Sequence, residues 1–257
     1  METVLVDGVR LEIQRIAAPA GRLRAPIVFL HEGLGSVAMW RDWPARVCAA
    51  AGRAGIVYSR RGYGGSDPIA DVRGRGRLPP DYMHREACEV LPTLLRELGL
   101  EVPVLLGHSD GGSIALLHAS RYPVAASVVM APHVVVEDVS VRSIEQAREA
   151  YLAGGLRERL ARYHADVDVA FWQWNDVWLS AVFRDFDIRP DCRRITAPLL
   201  ALQGVDDPYG TMRQVEEIAP TAGRFELEAV PACGHSPHRD QPEQVTARIV
   251  RFLATTP

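Results

Sequence analysis

Short hydrophobic runs recur along the chain and alternate with longer segments of helical spacing. Apolar and polar residues alternate over 3–6 and 9–16 around Asp7-Gly8, and Asp-Gly between such runs is a strong hairpin signal. Continuous apolar runs are typical of strands that are covered on both faces. Six further runs predict strands at 27–30, 55–58, 102–106, 126–130, 199–203 and 225–230.

Helical spacing fills most of the intervals between these runs. The predicted helices cover 38–51, 82–98, 113–121, 210–218 and 241–253. Strands that alternate with helices imply a mostly parallel sheet with helices on both faces. Between 136 and 190 the strand runs stop and helical spacing with many aromatic residues takes over, which predicts a helical insertion after the sixth strand.

Composition narrows the classes of function. The 257 residues are 47% hydrophobic and carry a net charge of -3, so no basic field is present to hold nucleic acid or acidic lipid. All 29 basic residues are arginine, which excludes lysine Schiff-base chemistry, a pyridoxal-phosphate anchor and a lysine-containing phosphate loop. With no apolar run of 18 residues, no signal peptide and four widely spaced cysteines, we expect a cytoplasmic protein without membrane partners or disulfides.

The sharpest local signal is Gly107-His108-Ser109-Asp110-Gly111, which lies between a predicted strand and a predicted helix. A G-x-S-x-G sequence in this context holds serine on a strained turn, where only small neighbours leave room for it. The turn exposes the hydroxyl, and the N–H groups of the following helix face the reacting carbonyl. Ser109 is therefore the candidate nucleophile.

A serine nucleophile needs a base and an acid that orients the base. His235 follows the last predicted strand, where a loop can reach back over the sheet. Asp206 and Asp207 both follow the seventh predicted strand, and we prefer Asp207 as the acid, with Asp206 as its alternative. The chain order Ser109, Asp207, His235 fits this architecture.

With these motifs in order, the chain resembles proteins of the α/β-hydrolase fold over nearly all of its length. The resemblance implies an eight-stranded, mostly parallel sheet flanked by helices, with a core at 1–135 and 191–257 and a helical cap at 136–190. It also implies that the N–H groups of Gly33 and Asp110 form the oxyanion hole. Because Glu32 stands where the family usually has glycine, Leu34 remains an alternative to Gly33.

The residues around the nucleophile bear on the substrate. The sequence Ser109-Asp110-Gly111-Gly112 resembles the elbow of valacyclovir hydrolase-like esterases, in which the aspartate binds a substrate amine. Asp110 could instead cap the following helix. Two acids, Glu32 and Asp110, would disfavour an anionic substrate. Cap residues Trp172 and Trp174 are candidates for an apolar pocket, although packing of the cap also accounts for such residues.

The sequence thus predicts a serine hydrolase that cleaves a small carboxylic ester, lactone or thioester through an acyl-enzyme intermediate. No metal-ligand motif or cofactor fingerprint is present, so we expect neither a metal nor a cofactor. Two alternatives stay open. One is a hydrolase that cleaves a carbon–carbon bond in a ring-cleavage product, and the other is a non-catalytic binding protein of the same fold. The oligomeric state is not visible in the sequence.

Overall fold

A single eight-stranded sheet runs through the computed structural model, which describes residues 2–19 and 24–256. The strands lie in the order β1-β2-β4-β3-β5-β6-β7-β8, and β1 and β2 are antiparallel to their neighbours while the other six are parallel. The strands are β1 Glu2–Val6, β2 Val9–Ile16, β3 Ile27–Leu30, β4 Gly55–Tyr58, β5 Val104–His108, β6 Ala126–Met130, β7 Leu199–Gly204 and β8 Phe225–Val230. The predicted α/β fold with a mostly parallel eight-stranded sheet is confirmed.

Helices connect the strands and cover both faces of the sheet. They are α1 Trp43–Ala51, α2 Tyr82–Arg85, α3 Leu91–Glu97, α4 Asp110–Ala119, α5 Asp138–Leu152, α6 Gly155–Leu160, α7 Val167–Trp178, α8 Arg189–Cys192, α9 Arg213–Glu216, α10 Pro237–Asp240 and α11 Pro242–Leu253. Two 3₁₀ turns cover Ala38–Trp40 and Ala181–Asp185, and a π-helical turn, Glu86–Val90, joins α2 to α3.

Several predicted boundaries were wrong, and backbone angles and hydrogen bonds account for them. The helix expected over 38–51 breaks at Arg41, whose φ of 55° lies in the left-handed region. The helix expected over 210–218 shrinks to Arg213–Glu216, because Gln203 binds the carbonyl of Gly210 and Glu137 binds Thr211. The fifth strand begins at Val104 rather than residue 102, since Val104 pairs with Ile27.

The central strands divide their side chains between two apolar layers. Val28, Leu30 and Leu105 face one layer, and Phe29 and Leu106 face the other. This alternation follows from the two-residue period of a strand. All of these side chains are buried, as the continuous apolar runs indicated. The rigid sheet fixes the positions of the loops at the carboxyl ends of its parallel strands.

The helical segment α5 to α7 lies between β6 and β7, where the change of pattern placed it. Its two ends meet at the sheet. Val135 pairs with Asp187 in an isolated antiparallel bridge, and the N–H of Ile188 donates to the carbonyl of Val134 at 2.9 Å. These contacts bring the chain back to the core close to where it leaves. The division into a core at 1–135 and 191–257 and a cap at 136–190 stays a prediction.

Candidate active site

Ser109 occupies a strained turn between β5 and α4. Its backbone angles are φ 52° and ψ -120°, a conformation that L-residues rarely adopt. The turn requires glycine on both sides. A Cβ on Gly107 would lie 2.2 Å from the carbonyl oxygen of Gly111, and a Cβ on Gly111 would lie 2.1 Å from that of Leu30. The local sequence therefore permits a geometry that presents the serine hydroxyl at the edge of the sheet.

The structure brings Ser109, His235 and Asp207 together from three loops. His235 Nε2 lies 3.0 Å from Ser109 Oγ, and His235 Nδ1 lies 2.8 Å from Asp207 Oδ2 and 3.0 Å from Oδ1. Because an ionised carboxylate only accepts hydrogen bonds, Nδ1 carries the proton and Nε2 is left to accept from the hydroxyl. The alternative acid, Asp206, is exposed at the surface.

Asp207 is held in place by contacts other than His235. Gln203 Nε2 donates to Oδ2 at 2.8 Å, and the N–H of Tyr209 donates to Oδ1 at 2.7 Å. Burial by itself would raise the pKa of Asp207. The hydrogen bonds from His235 and Tyr209, together with the nearby imidazole, outweigh it and lower the pKa below its ordinary value. The acid thus stays ionised and fixed in position.

The two expected oxyanion donors border the same cavity as Ser109. Within residues 2–19 and 24–256, the backbone N–H groups of Gly33, Leu34 and Asp110 donate to no other group. Gly33 packs tightly against the cap, since a Cβ there would lie 2.2 Å from Trp174 Nε1. These free donors fit an oxyanion hole, and Leu34 stays open as the alternative to Gly33.

The cavity beside Ser109 and His235 has a volume of about 200 Å³. Most of its wall is apolar, and the residues concerned are Leu34, Met39, Ile144, Leu156, Leu160, Trp174, Trp178 and Tyr209. Trp174 thus lines the pocket, and its contact with a substrate stays a prediction. Trp172 does not line it: its ring lies beneath the Arg73 guanidinium, 3.8 Å from the ring centre.

Both oxygens of the Asp110 carboxylate have hydrogen-bond partners within the protein. Tyr82 donates its hydroxyl to Oδ2 at 2.5 Å, Trp178 Nε1 donates to Oδ1 at 3.3 Å, and Arg60 Nη2 lies 3.9 Å away. The side chain is buried, and burial raises its pKa above the ordinary value. These contacts leave neither oxygen without a protein partner, so the carboxylate is a structural group in this state of the molecule.

Glu32 remains the acid with a partly exposed side chain at the cavity. Its Oε2 lies 3.5 Å from His108 Nδ1, and His108 Nε2 donates to the carbonyl of His235 at 2.6 Å. Burial opposes ionisation of Glu32, but contacts with His108 and other nearby imidazoles lower its pKa well below the usual range. A negative charge therefore stays at the rim of the site.

The sequence did not single out three residues that pack around His235. His108 contacts its carbonyl, the Tyr209 ring lies 4.7 Å from its ring, and the His133 ring lies 5.8 Å away. Burial lowers the pKa of His133 to about 3, so this imidazole is neutral. Their places in the sequence could have indicated them, because all three residues end or follow parallel strands whose carboxyl ends meet at this edge of the sheet.

Two other kinds of functional feature are absent from the described residues. No helix in this part of the chain has the length and apolar character needed to cross a bilayer. No group of three or more His, Cys, Asp or Glu side chains is placed to bind a metal ion in residues 2–19 and 24–256.

Comparison with known proteins places the chain in a family. A model described as the alpha/beta hydrolase family matches residues 27–248. The chain belongs to this family. It is similar to the mouse sn-1-specific diacylglycerol lipase ABHD11, at 26% identity over 89% of this chain and 80% of that protein. It is also similar to the human serine hydrolase BPHL, at 27% identity over 71% of this chain and 63% of that protein.

Solved structures show the same architecture. The enol-lactonase from Burkholderia xenovorans LB400 superimposes with a TM-score of 0.72 and 20% identity, covering 98% of this chain and 100% of that one. At this identity the likeness concerns the fold alone. Family membership and the named relatives together show that the protein is a hydrolase.

Proposed function

We propose that the protein is a serine hydrolase that cleaves small, uncharged carboxylic esters, lactones or thioesters through an acyl-enzyme intermediate. The observation that carries this proposal is the continuous chain of contacts from Ser109 Oγ through His235 to Asp207, at 3.0 and 2.8 Å. Nucleophile, base and orienting acid within hydrogen-bond reach are the arrangement that activates a serine hydroxyl.

In the proposed mechanism, His235 Nε2 takes the proton of Ser109 as Oγ attacks the substrate carbonyl. Asp207 holds the imidazole in the required tautomer and stabilises its charged form. The N–H groups of Asp110 and of Gly33 or Leu34 bind the oxyanion, and each such donor contributes about 3 kcal/mol. His235 then protonates the leaving group and activates a water molecule that releases the acyl group.

The walls of the cavity support an uncharged substrate. No arginine of residues 2–19 and 24–256 lines it, and His133 is neutral because its pKa is about 3. Glu32 places a negative charge at the rim, which repels a carboxylate. A volume of about 200 Å³ suits a short acyl or alcohol group, and Trp174 and Trp178 provide apolar surface for it.

The same walls count against cleavage of a carbon–carbon bond in a ring-cleavage product. A dienoate substrate carries a carboxylate, and among the described residues no arginine lines the cavity to receive it. A non-catalytic binding protein would not need the geometry around His235. A small-molecule substrate fits the family, whereas the cytoplasmic location and the absence of nucleic-acid partners stay predictions from the sequence.

Labelling with a fluorophosphonate and hydrolysis of short aryl esters test the proposal together. Ser109→Ala removes the proposed nucleophile and should abolish labelling and lower kcat by about 10⁶-fold. Ser120→Ala is the matched control, since this serine hydroxyl binds the carbonyl of Leu117 on the far end of α4. Labelling that survives in folded Ser109→Ala protein would show that another residue is the nucleophile.

A panel of substrates tests the chemical class. Neutral acetyl and butyryl esters should be hydrolysed faster than the corresponding succinyl half-esters and faster than a dienoate. A preference for the dienoate over every ester would favour carbon–carbon bond hydrolysis instead.

A further inference from the structure

A second cavity, with a volume of about 430 Å³, lies on the other side of Arg60 and Tyr82 from the catalytic cavity. The loop that follows β4 and the α2 helix form most of its wall, and Gln173 of the cap completes it. Five arginines line this arginine cavity, namely Arg60, Arg61, Arg75, Arg77 and Arg85, against two glutamates, Glu86 and Glu89. Arg60 and Arg85 are paired with Asp110 and Asp81, so the excess of positive charge comes from the other three arginines. A concave surface with such an excess concentrates anions.

Two of the arginines are available to a ligand. In the described part of the chain, the Arg75 guanidinium makes no hydrogen bond or ion pair, and that of Arg61 contacts the carbonyl of Pro68 alone, at 3.3 Å. Burial raises the pKa of Glu86 to about 7, so near neutral pH this acid is only partly ionised and offsets only part of the positive charge. The cavity therefore holds two guanidinium groups that form no ion pair with the described residues, and Asp67 is the acid whose charge interacts with that of Arg61.

A buried amide gives an independent indication of a polar ligand. Gln173 is 2% exposed, and its Nε2 has no hydrogen-bond partner among the described residues. A buried N–H donor without an acceptor is costly, and native proteins rarely retain one. Gly62, with φ at 82°, lies beneath this amide, where a Cβ would be 2.4 Å from Nε2. An acceptor atom bound in the arginine cavity would complete the hydrogen bonding of Gln173.

The wall of the cavity is held in place by its own contacts. The N–H of Arg75 donates to Asp71 Oδ2 at 2.8 Å, and Arg73 Nε donates to Asp176 of α7 at 2.8 Å. Gly76 turns against the carbonyl of Ala70, where a Cβ would lie 2.1 Å away. A loop that is fixed before the ligand arrives loses little conformational entropy on binding.

We propose that the arginine cavity is a second binding site, which takes a small organic oxyanion, a carboxylate or a phosphate monoester, attached to a short apolar body. Guanidinium groups bind both kinds of oxyanion in bidentate fashion. Ile69, Leu78 and Val90 supply the apolar contacts at the wall. The volume lies within the range of small-molecule sites.

The site is adjacent to the catalytic centre without being part of it. Arg60 donates to the carbonyls of His31 and Glu32 at 2.6 and 3.0 Å, and Tyr82 donates to Asp110. These two residues separate the cavities. Binding in the arginine cavity does not depend on the proposed esterase function, and it can be measured on protein that is catalytically inactive.

Calorimetric titration of the Ser109→Ala protein with hexanoate, hexyl phosphate and hexanol tests the proposal. We expect saturable binding of at least one of the two anions and much weaker binding of the neutral alcohol. The double variant Arg61→Gln/Arg75→Gln should weaken anion binding about tenfold or more, since each lost charge-assisted hydrogen bond contributes strongly. Both residues are exposed, so the melting temperature without ligand should stay unchanged.

Two further variants locate the bound anion. Arg251→Gln removes an exposed charge on α11, away from the cavity, and should leave the affinity unchanged. Glu32→Gln removes the negative charge at the catalytic cavity, and it would tighten binding if the anion occupied that cavity instead. The proposal is overturned if neither anion binds, if hexanol binds as tightly as both, if the double variant binds like its parent, or if Glu32→Gln tightens binding. The relative affinities of the two anions identify the preferred headgroup.

Discussion

At the scale of single residues, hydrogen bonds from neighbouring side chains hold the aspartates of the proposed site in one arrangement. Asp207 is fixed by Gln203 and Tyr209 so that it meets Nδ1 of His235, while its neighbour Asp206 points to solvent. The carboxylate of Asp110 accepts hydrogen bonds from Tyr82 and Trp178, and its backbone N–H is left without a partner among the described residues. In both cases hydrogen bonds decide which atom of a residue is available for chemistry.

Substitution of each of the two adjacent aspartates tests which one orients His235. Asp207→Asn keeps the shape of the side chain but no longer fixes the imidazole tautomer, so kcat on a short aryl ester should fall by about 10⁴-fold. Asp206→Asn changes an exposed residue and is the matched control, with kcat near that of the parent. Steady-state kinetics of both variants decide the assignment. An equal or larger loss in Asp206→Asn would transfer the role of the acid to that residue.

The second prediction concerns the close approach of Gly33 to Trp174. Gly33→Ala places a methyl group against the indole, and the overpacking should lower the free energy of unfolding by about 1–3 kcal/mol. In a Trp174→Leu background the same substitution should cost less, because the indole is gone. Denaturant unfolding of the four proteins gives the coupling energy. Identical losses in both backgrounds would show that the clash is not the cause.

At the scale of elements, the decisive unit is the turn from β5 into α4. The strand carries the chain to the carboxyl edge of the sheet, the turn exposes Ser109 with φ at 52°, and α4 returns behind it. Because Gly107 and Gly111 contact backbone carbonyls, the close packing of the turn leaves no room for side chains at these two positions. The geometry of the nucleophile is therefore a property of the whole strand–turn–helix unit.

Alanine substitutions should distinguish this turn from an ordinary helix start. Gly111→Ala forces a methyl group to 2.1 Å from the carbonyl of Leu30, and it should destabilise the protein by about 4 kcal/mol or more. Gly155→Ala in α6 meets nothing closer than 3.9 Å and should be neutral or stabilise by about 0.5 kcal/mol. Thermal and denaturant unfolding measure both. Comparable stability of the two variants would contradict the proposed close packing.

At the scale of the whole molecule, most of the histidines are partly or fully buried in the fold. Burial lowers the pKa of six histidines, which are His31, His84, His118, His133, His164 and His238. Neutral buried histidines serve as hydrogen-bonding groups in the interior, as His118 does with the carbonyl of Ala87. They lower the stability of the folded protein at acidic pH, because a buried imidazole binds a proton less readily than the same group in the unfolded chain.

This burial predicts that acid destabilises the protein. In the unfolded chain these groups titrate near 6.5, so below that pH the unfolded state binds more protons than the native state. Each histidine then lowers the free energy of unfolding by up to about 1.4 kcal/mol per pH unit. Glu86 and Asp110, whose pKa values are raised by burial, act in the opposite direction but are fewer.

Melting temperatures between pH 7.5 and 5 therefore should fall as the pH is lowered, with net uptake of protons on unfolding. His118→Gln removes one titrating group and should flatten this dependence, even if it lowers stability at pH 7.5. Stability that rises on acidification over the same range would contradict the burial of neutral histidines.

The sequence by itself determined the order of strands and helices, the elbow around Ser109 and the positions of the candidate base and acid. These features are local: apolar runs, helical spacing and glycines that permit one turn are all written in short stretches of chain. Two boundaries escaped prediction: the chain turns at Arg41 with a positive φ, and hydrogen bonds with Gln203 and Glu137 hold Gly210 and Thr211 outside a helix.

Only the tertiary structure decided which of these residues face a substrate. Trp174 and Trp172 are two positions apart on one helix, yet only the first reaches the catalytic cavity. The pairing of Asp110 with Tyr82 and Trp178, and the place of Gln173 in the wall of the arginine cavity, join residues far apart in the chain. No local pattern encodes such contacts, because they arise when separate elements pack against one sheet.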